Sequence, residues 1–125
     1  MIQPRSIVKI ADNSGAKIGR VFKVLGSSKK KYASIGELVV LSVQKAEPRK
    51  EIKKKAVLLA LVVRQKSPLR RKDGSYIRFD ENAVVIVERK KTEIVPKAGR
   101  IFGPIPREIA EAGHQQIISL APEVI

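Results

Sequence analysis

The chain reads as a small, mainly β protein, a barrel with a C-terminal appendage, and three observations carry that reading. Its apolar residues gather in short runs of strand length, above all Ala56 to Val63 and Ala83 to Val87, rich in Val, Leu and Ile that suit a pleated, buried surface. Gly, Pro, Asn, Asp and Ser punctuate the chain between such runs, and no alternation of strand with helix suggests a parallel sheet. A length of 125 residues suits one domain, which we divide into a barrel over about 1–90 and a C-terminal loop and helix region over about 96–125. Five to seven short strands and one late helix are expected.

Taken in order, Ser6 to Ala11 and Ala16 to Leu25 form a hairpin about Asp12-Asn13-Ser14-Gly15, four residues that each favour turns. The second strand alternates only loosely, with Arg20 and Phe22 out of pattern, so its register stays open. Gly26 to Lys31 is a basic loop without the spacing of a phosphate-binding P-loop. Glu37 to Val43 is a third strand, and Gln44 to Lys55, with Pro48 lacking an N–H, is a projecting basic ribbon or loop. The Ala56 to Val63 strand leads to a charged loop, a turn at Asp73-Gly74 and a strand resuming at Tyr76 to Phe79, with core packing expected for Phe79. Ala83 to Val87 closes the set of regular strands, and Glu88 to Glu93 suits a solvated connection. Pro106 opens a helix running to Ala112, with Gly113 beyond its end. Gln116 to Leu120 then packs on the sheet as a short strand or turn.

Charge narrows the function. Lys and Arg number 26 against 12 acids, a net charge of +14 with a pI near 10.4, which makes a polyanion the leading partner. Three clusters, 29–31, 45–55 and 64–78, hold 15 of those 26 cations, all in or beside connections. Charged loops between strands are commonly just solvated, but this clustering favours an RNA-facing edge. The candidate RNA contacts are Lys29, Lys30, Lys31, Arg49, Lys53, Lys54, Lys55, Arg64, Lys66, Arg70, Arg71, Lys72 and Arg78. With Trp absent and few aromatics, phosphate and shape recognition fit better than a stacking platform. Arg100, Phe102 and Arg107 lie outside the basic clusters in a near-neutral, apolar stretch and are candidate contacts for a protein partner.

Other chemistry is not offered. His114 is the single histidine and sits after a helix stop, Asp80 and Glu81 are adjacent and so form a poor acid and base pair, and no cysteine is present. Neither an enzyme, nor a metal site, nor a cofactor is expected. No apolar run exceeds eight residues, and no long amphipathic helix with a basic face appears, so no membrane partner is expected. Residues 1–5 lack the apolar core of a signal peptide, which leaves the expectation of a soluble, unsecreted, cytoplasmic protein.

Ala60-Leu61-Val62-Val63, nine residues, Asp73-Gly74, four residues, Phe79, two residues, Asn82, two residues and Val85-Ile86 resembles the signature of the large-subunit ribosomal protein L-fourteen family. Ala11 to Ala16, Arg100 to Pro104 and Ile118 to Val124 extend the resemblance over essentially the whole chain. It implies a five-stranded β-barrel with a projecting β-ribbon and short helices near the C-terminus, in a structural protein of the ribosome, cytoplasmic or organellar. It further implies binding to large-subunit (23S-type) rRNA near the inter-subunit face and a bridge to small-subunit rRNA. Neighbours of the L-nineteen and L-three families, and a ribosomal silencing factor at the C-terminal region, are implied as well. The alternative is a freestanding RNA-binding β-barrel, a chaperone or regulator. The chain departs from the family at Lys55-Ala56, where Gly-Asp is usual, at Lys72, where Pro often stands, and at Glu81, where Gly often precedes Asn82.

The turn at Asp73-Gly74 gives a direct test, since a β-branched residue is strained at positive φ. Gly74→Val should cost roughly 1–3 kcal/mol, well beyond Ser75→Ala, and equal melting temperatures for the two variants would contradict that geometry.

Overall fold

A computed structural model describes residues 2–26, 30–50 and 52–125. Its strands are β1 (Ile7–Ile10), β2 (Ala16–Val24), β3 (Leu38–Ala46), β4 (Val57–Arg64), β5 (Leu69–Arg70), β6 (Tyr76–Ile77), β7 (Ala83–Lys90), β8 (Glu93–Pro96), β9 (Pro104–Ile105) and β10 (Glu123–Val124). Two short helices, α1 (Glu108–Glu111) and α2 (Gln115–Ser119), lie between β9 and β10. Strands β1, β2, β3, β4 and β7 pair in that order, antiparallel throughout, until β7 meets β1 in parallel and closes a five-stranded barrel. Two hairpins leave the barrel wall: β5 with β6, and the end of β7 with β8.

The closing seam is short, with only Lys9 opposite Ala83 and Ile10 opposite Val84. Asp12 lengthens it. Its Oδ2 accepts a hydrogen bond from the buried Ile86 N–H at 2.8 Å, and its Oδ1 accepts from Ser14 N at 3.2 Å and Ser14 Oγ at 2.5 Å. The turn signal Asp-Asn-Ser-Gly is thus also a latch, and the carboxylate takes the place of a strand carbonyl where β1 has ended.

Two apolar clusters explain why β4 and β7 read as unbroken apolar runs. Ala60, Val62, Val84 and Ile86 point into the barrel with Val8, Val21, Val39 and Leu41. Their alternates Leu61, Val63, Val85 and Val87 point outward and are covered by Ile101, Ile105, Ile109 and Ile117 of the C-terminal region. Both faces of these two strands are buried, so alternation vanishes from the sequence. Each fully buried Ile contributes about 1.5–3 kcal/mol, several times what a surface ion pair supplies, so apolar burial holds the C-terminal region in place.

The irregular pattern of β2 has a physical cause: its pairing with β3 shifts register between Ala16 and Ile18, Ile18 and Gly19, and Val21 and Lys23. Each bulge turns the following side chains over, which no simple parity can follow. Gly19 is buried within this stretch, where an added Cβ would lie 2.8 Å from the Leu41 side chain.

Several expectations need correction. Glu88 to Glu93 is solvated as expected from Arg89 onward, but it is a hairpin rather than an irregular connection: β7 runs to Lys90, and a two-residue turn with Lys91 at φ 55° returns the chain as β8. Residues 116–119 belong to helix α2, with Leu120 as its C-cap; its first residue has no capping side chain ahead of it, and burial of Ile117 fixes it instead. Helix α1 begins at Glu108, two residues after Pro106. Strand β3 continues through Gln44, Lys45 and Ala46, and the loop that follows is anchored because Ile52 is inserted into the barrel core.

Burial pushes the Asp12 carboxyl above its ordinary value of 3.8, with the bonds from Ser14 and Ile86 opposing the shift. The folded chain therefore holds this proton more tightly than the unfolded chain, and stability from Asp12 rises as pH falls through the raised pKa toward 3.8. Chemical denaturation of wild type and Asp12→Asn should show wild type gaining on the variant as pH drops from 7 toward about 4; a gap that narrows would contradict the assignment. Asp12→Ala should cost about 1–3 kcal/mol at neutral pH, for the Ile86 N–H left unpaired.

Candidate nucleic-acid interface

Strand β4 separates two basic loops. The 47–56 loop precedes it and the 65–82 connection follows it, so by strand length their starting points lie roughly 25 Å apart. In the first, Arg49, Lys53, Lys54 and Lys55 are all exposed, and none of them enters an ion pair among the described residues. Lys55 sits at φ 72°, a left-handed conformation that glycine would adopt freely, and its N–H donates to Val43 O at 2.7 Å. In the second, Lys66, Arg70, Lys72 and Arg78 are exposed. Asp73 Oδ1 accepts from Ser75 Oγ at 2.6 Å and Ser75 N at 2.9 Å, and Gly74 at φ 89° completes the turn between β5 and β6. Those Ser75 bonds, helped by Arg107 and Arg71, hold the Asp73 carboxyl below its ordinary range.

The basic residues are not equivalent. Arg64 is 6% exposed, donates Nη1 to Phe102 O at 3.1 Å and Pro104 O at 3.3 Å, and pairs Nη2 with Glu81 at 3.3 Å. Gly103 packs directly on this guanidinium. Arg64, expected as an RNA contact, is thus placed differently from the exposed cations: both terminal nitrogens are engaged inside the protein, holding the C-terminal region to the end of β4, while Nε is buried without a hydrogen-bond partner. Burial lowers its pKa, with Glu81 opposing. Arg71 is likewise turned inward, with Nε 2.6 Å from Glu108 Oε1 and Nη2 donating to Ile125 O at 2.7 Å, so it ties the β5–β6 hairpin to α1.

Lys31 is exposed, Lys30 is ion-paired with Glu37, and Lys29 lies outside the described residues. Glu81, where glycine was considered, needs no positive φ and pairs with both Lys9 and Arg64. Phe79 packs on the outer cluster while Tyr76 is exposed. Of the three candidate protein contacts, Arg100 and Phe102 lie together, the guanidinium 5.6 Å from the ring centroid. Arg107 is elsewhere, exposed beside Asp73 at 3.8 Å. His114 precedes α2, and partial burial lowers its pKa, a bond with the Gly36 backbone opposing.

One feature carried no signal in the sequence. The 47–56 loop folds onto the β1–β2 turn, with Glu47 N donating to Gly15 O at 2.8 Å and the Lys50 side chain lying on Gly15. The 65–82 connection reaches the same side of the barrel, as Lys9 N donates to Asn82 O at 3.1 Å and Lys66 N to Asn82 Oδ1 at 2.9 Å. Between them, along β1 and β2, runs a groove of about 710 Å³. It depends on the stagger of a closed barrel, which local sequence does not reveal.

Arg64 and Lys54 separate the two roles experimentally. Lys54→Ala should leave the melting temperature unchanged and lower the slope of log affinity for RNA against log salt by about one unit. Arg64→Ala should instead lower the melting temperature by several degrees, because the Phe102 and Pro104 carbonyls lose this donor and Glu81 keeps only Lys9, with the slope of the folded fraction unaltered. The reverse pattern would overturn the assignment.

A barrel of this topology, with its cations displayed on loops and a covering C-terminal region, accords with a family-model match to Ribosomal protein L14p/L23e over residues 1–125. That family is one of structural proteins of the large ribosomal subunit, associated with its rRNA and proteins rather than with catalysis. The match spans the whole chain, and the chain belongs to the ribosomal protein L14p/L23e family.

Proposed function

We propose that this protein is anchored to large-subunit (23S-type) rRNA near the face that meets the small subunit, and contributes to a bridge with small-subunit rRNA. The observation that carries this reading is the contrast among its cations. Arg64 and Arg71 are committed to internal partners, whereas Arg49, Lys53, Lys54 and Lys55 on one loop, and Lys66, Arg70, Lys72 and Arg78 on the other, extend into solvent. Exposed like charges repel one another, and an array of them on anchored loops is stabilised when phosphates neutralise it. Loops on a closed barrel hold that array in shape, which suits a folded rRNA better than a flexible strand.

Ribosomal proteins of the L-nineteen and L-three families are proposed as neighbours, and the surface around Arg107 and α1 as the contact for a silencing factor. There Arg107 and Asp73 are both exposed, and the surface mixes acids and bases.

Gradient sedimentation of lysate from cells expressing a tagged copy tests the placement. The protein should migrate with large subunits in stoichiometric amount and dissociate as salt is raised. A pool found mainly free or on messenger RNA would favour a chaperone or regulator instead.

A further inference from the structure

We propose that the groove along β1 and β2 is a nucleobase site, which takes an unpaired base from RNA whose backbone is held by the two flanking basic loops. The proposal rests on the RNA-binding reading above and adds a second mode of contact to it. Three observations support it.

The walls are apolar where the protein is otherwise charged. Ile7 and Phe102 line the groove while 58% and 49% exposed, and Ile18 lines it with them. Phe102 also carries the Arg100 guanidinium over its ring at 5.6 Å. With one face backed by that cation, the ring offers its other side as a surface on which a splayed base stacks.

Charge on the rim favours a phosphate chain. Lys17, Lys50 and Lys66 are exposed there. Of the acids, Asp12 is buried in bonds to Ile86 and Ser14, and Glu81 is neutralised by Lys9 at 3.5 Å and Arg64 at 3.3 Å, which leaves Glu47. The groove lies between the two loops and is lined by residues of both, so a backbone crossing from one to the other passes over it.

Polar groups at the edge are oriented for a base. Asn13 Oδ1 accepts from Arg100 N at 3.2 Å and Asn82 Oδ1 from Lys66 N at 2.9 Å, which fixes both amides. Their NH2 groups have no partner among the described residues, and both residues line the groove, where such donors are available to a ligand. Donors suit the carbonyl and ring-nitrogen acceptors of a base, guanine and uracil above all. The volume, about 710 Å³, lies in the range of small-molecule clefts.

This assigns Phe102 to RNA rather than to a protein partner. The test titrates the full-length chain with a single-stranded RNA carrying a fluorescent guanine analogue, and with a blunt RNA duplex of the same length. Phe102→Ala should weaken single-strand binding about tenfold and abolish the change in analogue fluorescence, while duplex affinity stays within about twofold and Phe102→Trp restores the loss. Equal loss on both RNAs, or no loss on either, would overturn the groove assignment while duplex binding by wild type upheld the phosphate reading. Wild type that bound neither RNA would defeat both. A loss seen only against large-subunit ribosomal proteins would make a protein segment the occupant and sink the proposal.

Discussion

Closure of the barrel between β1 and β7 is the constraint on which the other features depend. Two residue pairs and one carboxylate make that seam, and the groups they join are more than 70 residues apart in sequence. Parallel pairing is weaker per residue than antiparallel pairing, and four residues of β1 offer little ladder. The Asp12 carboxylate strengthens the seam at the cost of burying a charge, which its three hydrogen bonds offset in part. With the seam shut, the interior cluster is complete, β4 and β7 are held in register, and the basic loops acquire fixed positions.

Two arginines are set apart from the other cations of these loops, which include Arg49, Arg70 and Arg78, in a way that follows from guanidinium shape. Arg64 and Arg71 each reach several acceptors at once, a carboxylate together with main-chain oxygens, as a planar fork can and an ammonium cannot. The lysines at 53, 54, 55, 66 and 72 carry compact, strongly hydrated charges on flexible stems and stay in solvent. Count alone put all of them in one class. What separated Arg64 was its place as the last residue of a strand buried on both faces, where the chain can keep a cation only if its partners are built in.

The strands were legible in the sequence wherever β-branched runs met strong turn residues, as at Asp12 to Gly15 and Asp73-Gly74. The resemblance supplied the number of strands in the barrel. Illegible were the elements made by tertiary contact: β8, whose Glu-Ile-Val-Pro is too short and mixed to announce a strand, and α2, which forms because Ile117 is buried. Ile52, alone among charges, gave no hint that it enters the core. The basic loops were legible as clusters, but their meeting across a groove was not, since it arises from barrel stagger and from hydrogen bonds between distant main-chain groups.

The outer cluster has a consequence for the order in which the molecule is made. Leu61, Val63, Val85 and Val87 emerge during synthesis well before Ile101, Ile105, Ile109 and Ile117, which cover them. Chains leave their site of synthesis N-terminus first, so a nascent barrel that has already closed still displays a bare apolar flank until the last segment arrives. That flank is sticky for as long as it stays bare, and it adjoins a surface that attracts polyanions. The interval before the C-terminal region docks is therefore when this chain most needs protection from aggregation.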